Sequence, residues 1–418
     1  MPTPADTRLL LKQLFQQEFS KIVAVISSRY GLAHVEIAED LVSDTFLTAT
    51  EHWSTHGLPP HPTAWLYTVA KQKTLAYFRR EKIYTRKVAP TLTATAKSAT
   101  PSPEIDFSPQ YIRDSQLKML FAVCTPLIAG EAQIALALRV LCGFGIDEIA
   151  SAFLTNKETI NKRLVRAKAK LRAEGVRMEL PSEAEVADRL DRVLHIIYLL
   201  FNEGYYSRTQ DEVIRRELCW EAMRLAVFLT EHELTNRPET QALLALMCFH
   251  ASRFDARQTA DGGIVLYGQQ DENKWDTDLI AQGIHYLERS ASGNVVSPYH
   301  LEARIAQLHC LPGDGPDKWE SILQLHNHLL VLQYSPAAAL NRTYALYRAR
   351  GATEALPEAR KLRLETNHFY WVLLAELLQH TDLPDAITCL KRALEHARTT
   401  PEQQLIRERI RQLAKRED

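Results

Sequence analysis

The stretch IDEIASAFLTNKETINKRLVRAKAKLR, residues 146–172, holds two helical periods divided by a turn. Ile146, Ile149, Ala150 and Phe153 recur at helical spacing, and Leu154-Thr155-Asn156 supplies the break. Thr155 and Glu158 have the S/T-x-x-E spacing of a capping box, which predicts a helix start there. Beyond it Ile160, Leu164, Ala167 and Leu171 form one narrow apolar stripe. Lys157, Lys162, Arg163, Arg166, Lys168 and Lys170 occupy the other faces. A short helix, a turn and a basic helix suit a major groove. The cations neutralise phosphates, and Thr159, Asn161 or Arg163 reaches base edges. A solvated basic surface helix satisfies the same pattern, so the rest of the chain has to decide.

The chain has 418 residues, which bounds it at two to four domains of roughly 100–200 residues each. Its 46% hydrophobic and 24% charged fractions are those of an ordinary globular protein. Cys124, Cys142, Cys219, Cys248, Cys310 and Cys389 form no CxxC pair and sit in apolar helical patterns. They are expected to be packed, reduced thiols of a cytoplasmic protein rather than disulfides or zinc ligands. The start, MPTPADTRLLLKQLF, has no cationic segment before an apolar run, and no run is long enough to span a membrane. Neither a signal peptide nor a membrane partner is therefore expected. No HExxH, GxSxG, P-loop or GxGxxG occurs in a suitable context, so the expectation is no enzyme, no cofactor and no metal. His326 and His328 lie two apart, on different faces of a helix, and make a poor metal site.

The net charge of −1 conceals an asymmetry: residues 1–180 carry a net +6 and the remainder a net −7. A polyanion partner is expected for the front only. Helical periodicity dominates and no run of strands is convincing, so the fold class is all-α. Four sections follow. Residues 1–88 are helical and end in KQKTLAYFRREKIYTRK. Residues 89–110, rich in Thr, Ser, Ala and Pro, make a flexible linker. Residues 111–180 form a second small helical unit, and residues 181–418 a long helical region. Within that region RTYALYRARGATEALPEARKLRL and LLAELLQHTDLPDAITCLKRALEHA both have the form helix, turn, helix, with Ala355 and Ala386 at similar places. Their spacing of about thirty residues is near the tetratricopeptide period.

In the first section Val35–Trp53 is an amphipathic helix. Ile37, Leu41, Phe46 and Ala49 are its apolar positions, and Glu39, Asp40 and Asp44 its acidic ones. After STHGLPPHP a helix begins at Pro62, where Ala64, Trp65, Val69, Ala76 and Phe78 can face the core. Lys71, Gln72, Lys73, Thr74, Tyr77, Arg79 and Arg80 offer the cations, hydrogen-bonding groups and ring that suit unstacked bases on a single strand.

Together, AEDLVSDTFLTA, AWLYTVAKQKTLAYFRR, the linker and EIASAFLTNKETINKRLVRAKAKLR closely resemble a bacterial sigma factor of the extracytoplasmic-function type across about residues 7–178. The resemblance implies that Asp40, Leu41, Asp44 and Phe46 dock on RNA polymerase core, through its β′ and β subunits. It implies that Lys71, Gln72, Lys73, Thr74, Tyr77 and Arg80, with the loop Ser54–His61, open and read the −10 element. Lys157, Thr159, Asn161, Lys162, Arg163 and Arg166 would then read the −35 element. Gln72 departs from the family, which often has Asn there, and this puts the base preference at that position in doubt. LFNEGYYS, with the repeats downstream, resembles the helical tetratricopeptide-like extension of one subgroup. Gly204 fits a helix C-cap in that segment. Such an extension is expected to regulate activity by an intramolecular contact with the sigma domains or by contact with the polymerase. The alternative is a stand-alone helix-turn-helix regulator with a tetratricopeptide sensor domain.

Overall fold

A computed structural model describes residues 4–88, 105–153, 155–205, 215–259, 265, 267–397 and 399–415. Most of the linker, along with Tyr206, Ser207, Gly262 and Gly263, lies outside the described residues. Among the described residues the secondary structure is helical and contains no strand, as the periodicity predicts. The chain divides into two compact units, Met1–Ile196 and Ile197–Asp418.

The first unit contains α1 (Pro4–Tyr30), α2 (Val35–His56), α3 (Pro62–Val88), α4 (Pro109–Val123), α5 (Gly130–Val140), α6 (Ile146–Ala152), α7 (Lys157–Ala173) and the start of α8 (Glu183–Tyr205). In α1, Ile22, Val23, Ala24, Val25 and Ile26 are all fully buried. Five consecutive buried residues face every direction around the helix, so α1 needs partners on several sides. It packs against α2, α3, α4 and α5. Helices from both sides of the linker therefore share one core.

Helix faces differ from the sequence reading in two places. The buried face of α3 runs Leu66, Ala70, Thr74, while Ala64 and Ala76 are exposed. The aromatic residues Trp65 and Phe78 flank that face and are only half-buried. The N-cap of α7 is Asn156, whose Oδ1 accepts from the Thr159 N–H at 2.8 Å, rather than Thr155. Glu158 turns outward to Lys162 at 2.6 Å instead of reaching back.

The second unit continues with α9 (Arg216–Thr230), α10 (Pro238–Ala251), α11 (Phe254–Arg257), α12 (Thr277–Ser290), α13 (Pro298–His309), α14 (Pro316–Leu332), α15 (Pro336–Arg350), α16 (Ala352–Lys361), α17 (His368–Leu378), α18 (Leu383–His396) and α19 (Thr400–Ala414). Every residue of α10 from Thr240 to Phe249 is buried. A helix apolar all round must be encased, and α9, α12 and α13 surround it. From α14 to α19 each helix packs on the next, and Ala355 and Ala386 are fully buried at those contacts. All six cysteines are buried, and none is in a disulfide.

Gly204 is not a C-cap. It lies within α8, where an added Cβ would stand 2.8 Å from both the Arg215 carbonyl oxygen and the Cys219 sulfur. Its carbonyl accepts from the Arg215 N–H at 2.7 Å. The buried Arg215 guanidinium pairs with the Glu203 carboxylate at 2.5 Å. The Asn-Glu-Gly segment thus sets how closely the start of α9 approaches α8.

Gly204→Ala is expected to destabilise the second unit by about 1–3 kcal/mol through overpacking, read as a lower thermal midpoint. Acid should loosen the same unit. Burial, reinforced by Arg253, lowers His309 to about 3; burial lowers His326 to about 4; and burial with the same arginine lowers His250. The unfolded chain takes up these protons first, below its ordinary histidine pKa of about 6.5. This stability is present above pH about 6.5 and is lost as pH falls toward 4 and below. A midpoint flat from pH 6.5 to 4 would contradict it.

Candidate nucleic-acid interface

α2 presents its acidic edge because its other face is fully used for packing. Val35, Ala38, Val42, Thr45, Phe46, Ala49 and Trp53 are buried, leaving Asp40, Ser43, Asp44, Leu47 and Glu51 exposed on the opposite side. Leu41 is half-buried between the two faces. Phe46 belongs to the core, edge-on to Phe15 with centroids 5.0 Å apart, and is not available for docking here. Leu47, which the sequence reading passed over, is 57% exposed beside Asp44. Its position three residues after Asp44 was the signal that could have found it.

On α3, Gln72 and Arg80 are exposed, and Lys71, Lys73 and Tyr77 are half-buried. Lys73 forms an ion pair with Asp44 across to α2. Thr74 is fully buried and donates to the Ala70 carbonyl at 2.7 Å, so it packs the helix and offers nothing to a strand. The end of the linker is laid against this helix: Phe107 stacks on Tyr67 at 4.7 Å, and Ile105 packs with Val25 and Ile112. The Tyr67 hydroxyl donates to Glu18 at 2.5 Å. Asp106 is held below the usual carboxylate range by the Ser108 N–H and hydroxyl, with a smaller contribution from Lys71.

α6 and α7 expose a basic surface. Thr159, Asn161 and Arg166 are exposed. Lys157 pairs with Asp147 at 2.7 Å and Lys162 with Glu158 at 2.6 Å, both well exposed and readily exchanged for phosphate. Arg163 is different. It is half-buried, pairs with Glu131 at 2.7 Å and stacks over Phe153. Its guanidinium is thus held between Glu131 and Phe153 and is less free than the other cations of α7.

The C-terminal half of α7 is pinned to α2. Glu39, almost fully buried, accepts from Arg139 Nε at 2.6 Å and from the Lys168 ammonium. Arg139 also donates to the Phe144 carbonyl at 3.1 Å. At the rim Arg172 pairs with Glu36 at 2.8 Å and donates to the Ala33 carbonyl at 3.2 Å.

The helices α1 to α3 coincide with a match to sigma-70 region 2 over residues 14–83. That match, confined to those residues, supports a sigma factor of the sigma-70 family. The same region supports a role in promoter-specific initiation of transcription, with RNA polymerase core and promoter DNA as partners in general. A family of unknown function (DUF6596) matches residues 189–291. The chain is also 31% identical over 386 residues to an uncharacterized protein of Rhizobium meliloti (strain 1021), covering 91% of each, and it belongs to the same family as that protein. No solved structure matches it. No helix among the described residues is long and apolar enough to cross a membrane.

Replacing Glu39 by Ala leaves two cations in a partly buried junction without their carboxylate. The expected loss is about 3–5 kcal/mol of first-unit stability in urea titration. Replacing the half-exposed Glu36 by Ala should cost less than about 1 kcal/mol. Equal losses for the two variants would show that the junction carries no special weight.

Proposed function

We propose that this chain is a sigma factor of the extracytoplasmic-function type whose two DNA-reading segments are closed on each other until promoter and polymerase separate them. The main support is the overlap of the region 2 match with α1–α3, whose surface exposes Asp40, Asp44 and Leu47 on one helix and Gln72 and Arg80 on the next. On this reading Asp40, Asp44, Leu41 and Leu47 dock on the β′ subunit. Lys71, Gln72, Lys73, Tyr77 and Arg80 take up the melted −10 strand, where phosphate contacts and base stacking do the binding. Melting costs a few kcal/mol per flipped base, which those contacts offset. α6 and α7 act as a helix-turn-helix on the −35 element through Thr159, Asn161, Arg166 and the two exchangeable lysines.

Geometry makes opening necessary. Elements centred at −10 and −35 lie 25 positions apart, about 85 Å along a duplex at 3.4 Å per base pair. A compact unit of 196 residues has a radius of gyration of about 16 Å, too small to touch both. The sixteen linker residues 89–104 can span up to about 55 Å when extended, enough to let the segments part. The second unit, a tetratricopeptide-like helical extension on this reading, regulates that step in the cytoplasm.

Reconstitution with polymerase core tests the proposal. Asp40→Ala or Leu47→Ala should weaken core binding about tenfold, which is about 1.4 kcal/mol. Gln72→Ala should reduce promoter opening with core affinity retained. Arg166→Ala should lower −35-dependent binding and its salt slope by about one phosphate contact. A chain that binds duplex DNA and never binds core would return the stand-alone regulator to favour.

A further inference from the structure

The second unit holds an open-sided cavity of about 600 Å³ whose lining comes from eight of its helices and the loops between them. That volume lies within the range of small-molecule sites. Its walls are largely aromatic and aliphatic, with Tyr205, Tyr267 and Trp319 prominent. What distinguishes it is the polar groups left over. Arg253 is 6% exposed, and among the described residues its Nε has no hydrogen-bond partner. Arg257, one helical turn on, lies over the Tyr205 ring at 4.0 Å. Among the described residues neither arginine forms an ion pair.

The carboxylates of the lining pair with neither arginine. Glu302 accepts from the Tyr198 hydroxyl at 3.4 Å. Glu402 accepts the Thr399 N–H at 3.2 Å as part of the α19 cap and stands 3.4 Å from His368. Asp314, near the Tyr267 wall, accepts from Trp319 Nε1 at 2.6 Å and pairs with Arg348. The Lys318 ammonium on that side donates to the Tyr267 hydroxyl at 3.0 Å and to two carbonyls. Meanwhile the Nδ1 atoms of His250, His309 and His326 are buried with no hydrogen-bond partner among the described residues.

Each such orphan costs about 1–3 kcal/mol, and an unpaired buried charge more. Water could satisfy the imidazole nitrogens, but it cannot neutralise two guanidinium groups. An anion can do both. The aromatic walls exclude a bare inorganic ion as the best occupant, because it would leave most of the cavity wet.

We propose that the second unit binds a small organic anion, with its carboxylate, sulfonate or phosphate seated at Arg253 and Arg257 and its planar apolar body lying against Tyr205, Tyr267 and Trp319. The depressed histidine pKa values agree with this, since neutral imidazoles beside two arginines can hydrogen-bond an anion without adding charge. The site does not depend on the promoter reading above, and its test uses binding alone.

The experiment is calorimetric titration of the full chain with benzoate, 2-naphthoate, indole-3-acetate and anilinonaphthalene sulfonate. The neutral amides of the three carboxylates and inorganic phosphate are run alongside. At least one organic anion should bind ten or more times tighter than its amide and than phosphate. Arg257→Gln, at a half-buried position, should remove that preference with affinity for the amide unchanged. If that variant does not fold, the anion-to-amide ratio on the unaltered chain decides. Equal binding of acid and amide overturns the proposal. So does failure of all four anions to bind at millimolar concentration, or a folded Arg257→Gln chain that keeps the preference. Binding of an acidic peptide in place of every small anion would overturn it in favour of a peptide groove.

Discussion

Glu39 is the residue on which the arrangement of the first unit depends. One buried carboxylate takes hydrogen bonds from Arg139 on α5 and from Lys168 on α7, and so fixes both helices on α2. Burying charge costs several kcal/mol per ion, and well-packed apolar residues often hold such a junction as well or better. The ionic solution differs from an apolar seam in how it can be undone. Apolar surfaces released into water have no alternative partner. Arg139, Lys168 and Arg172 would have phosphate, and the acids of α2 would have a basic protein surface. On the proposed function, the same charges that close the unit are those the promoter and polymerase compete for. The exposed pair Lys73–Asp44 follows this logic on a smaller scale, since it joins one cation of α3 to one docking acid of α2.

The sequence made the helical class and the order of helices legible because helical periodicity is a local signal. The choice of face was less so. In α3 the aromatic residues Trp65 and Phe78 drew the predicted face toward themselves, yet Leu66, Ala70 and Thr74 fill the core. Small residues such as Ala70 and Thr74 leave room for the neighbouring helices to come close, and no propensity records that. Phe46, an apolar position in the sequence, is buried against Phe15, while Leu47, about 100° round the same helix, is exposed. The capping-box spacing drew the predicted cap to Thr155, yet Asn is the stronger N-cap residue and Asn156 holds the position.

Gly204 shows a different limit. A glycine near the end of a predicted helix has two physical explanations, a left-handed backbone or a close approach. The sequence favoured the first. The structure has the second, with Arg215 and Cys219 filling the space a side chain would need. The partner helix lies beyond residues 206–214, and nothing local to the LFNEGYYS motif identifies it.

The cavity of the second unit was invisible for a related reason, since its groups are drawn from Tyr198 to Arg409. The match to a family of unknown function, residues 189–291, takes in His250, Arg253, Arg257 and Tyr267 and stops before Trp319 and His326. The two arginines therefore belong to one sequence module, and the rest of the wall is completed by the repeat-like helices that follow. Residues 181–418 carry a net −7, which repels anions at long range, while the unpaired cations sit inside. Steering by the overall field cannot deliver an anion to such a site. Recognition has to come from contacts made after entry, and buried charges are screened little by salt. An anion bound there should hold nearly the same affinity from low to moderate ionic strength, whereas promoter binding by the basic first unit should fall steeply over that range. That difference in salt dependence separates the two functions within one chain.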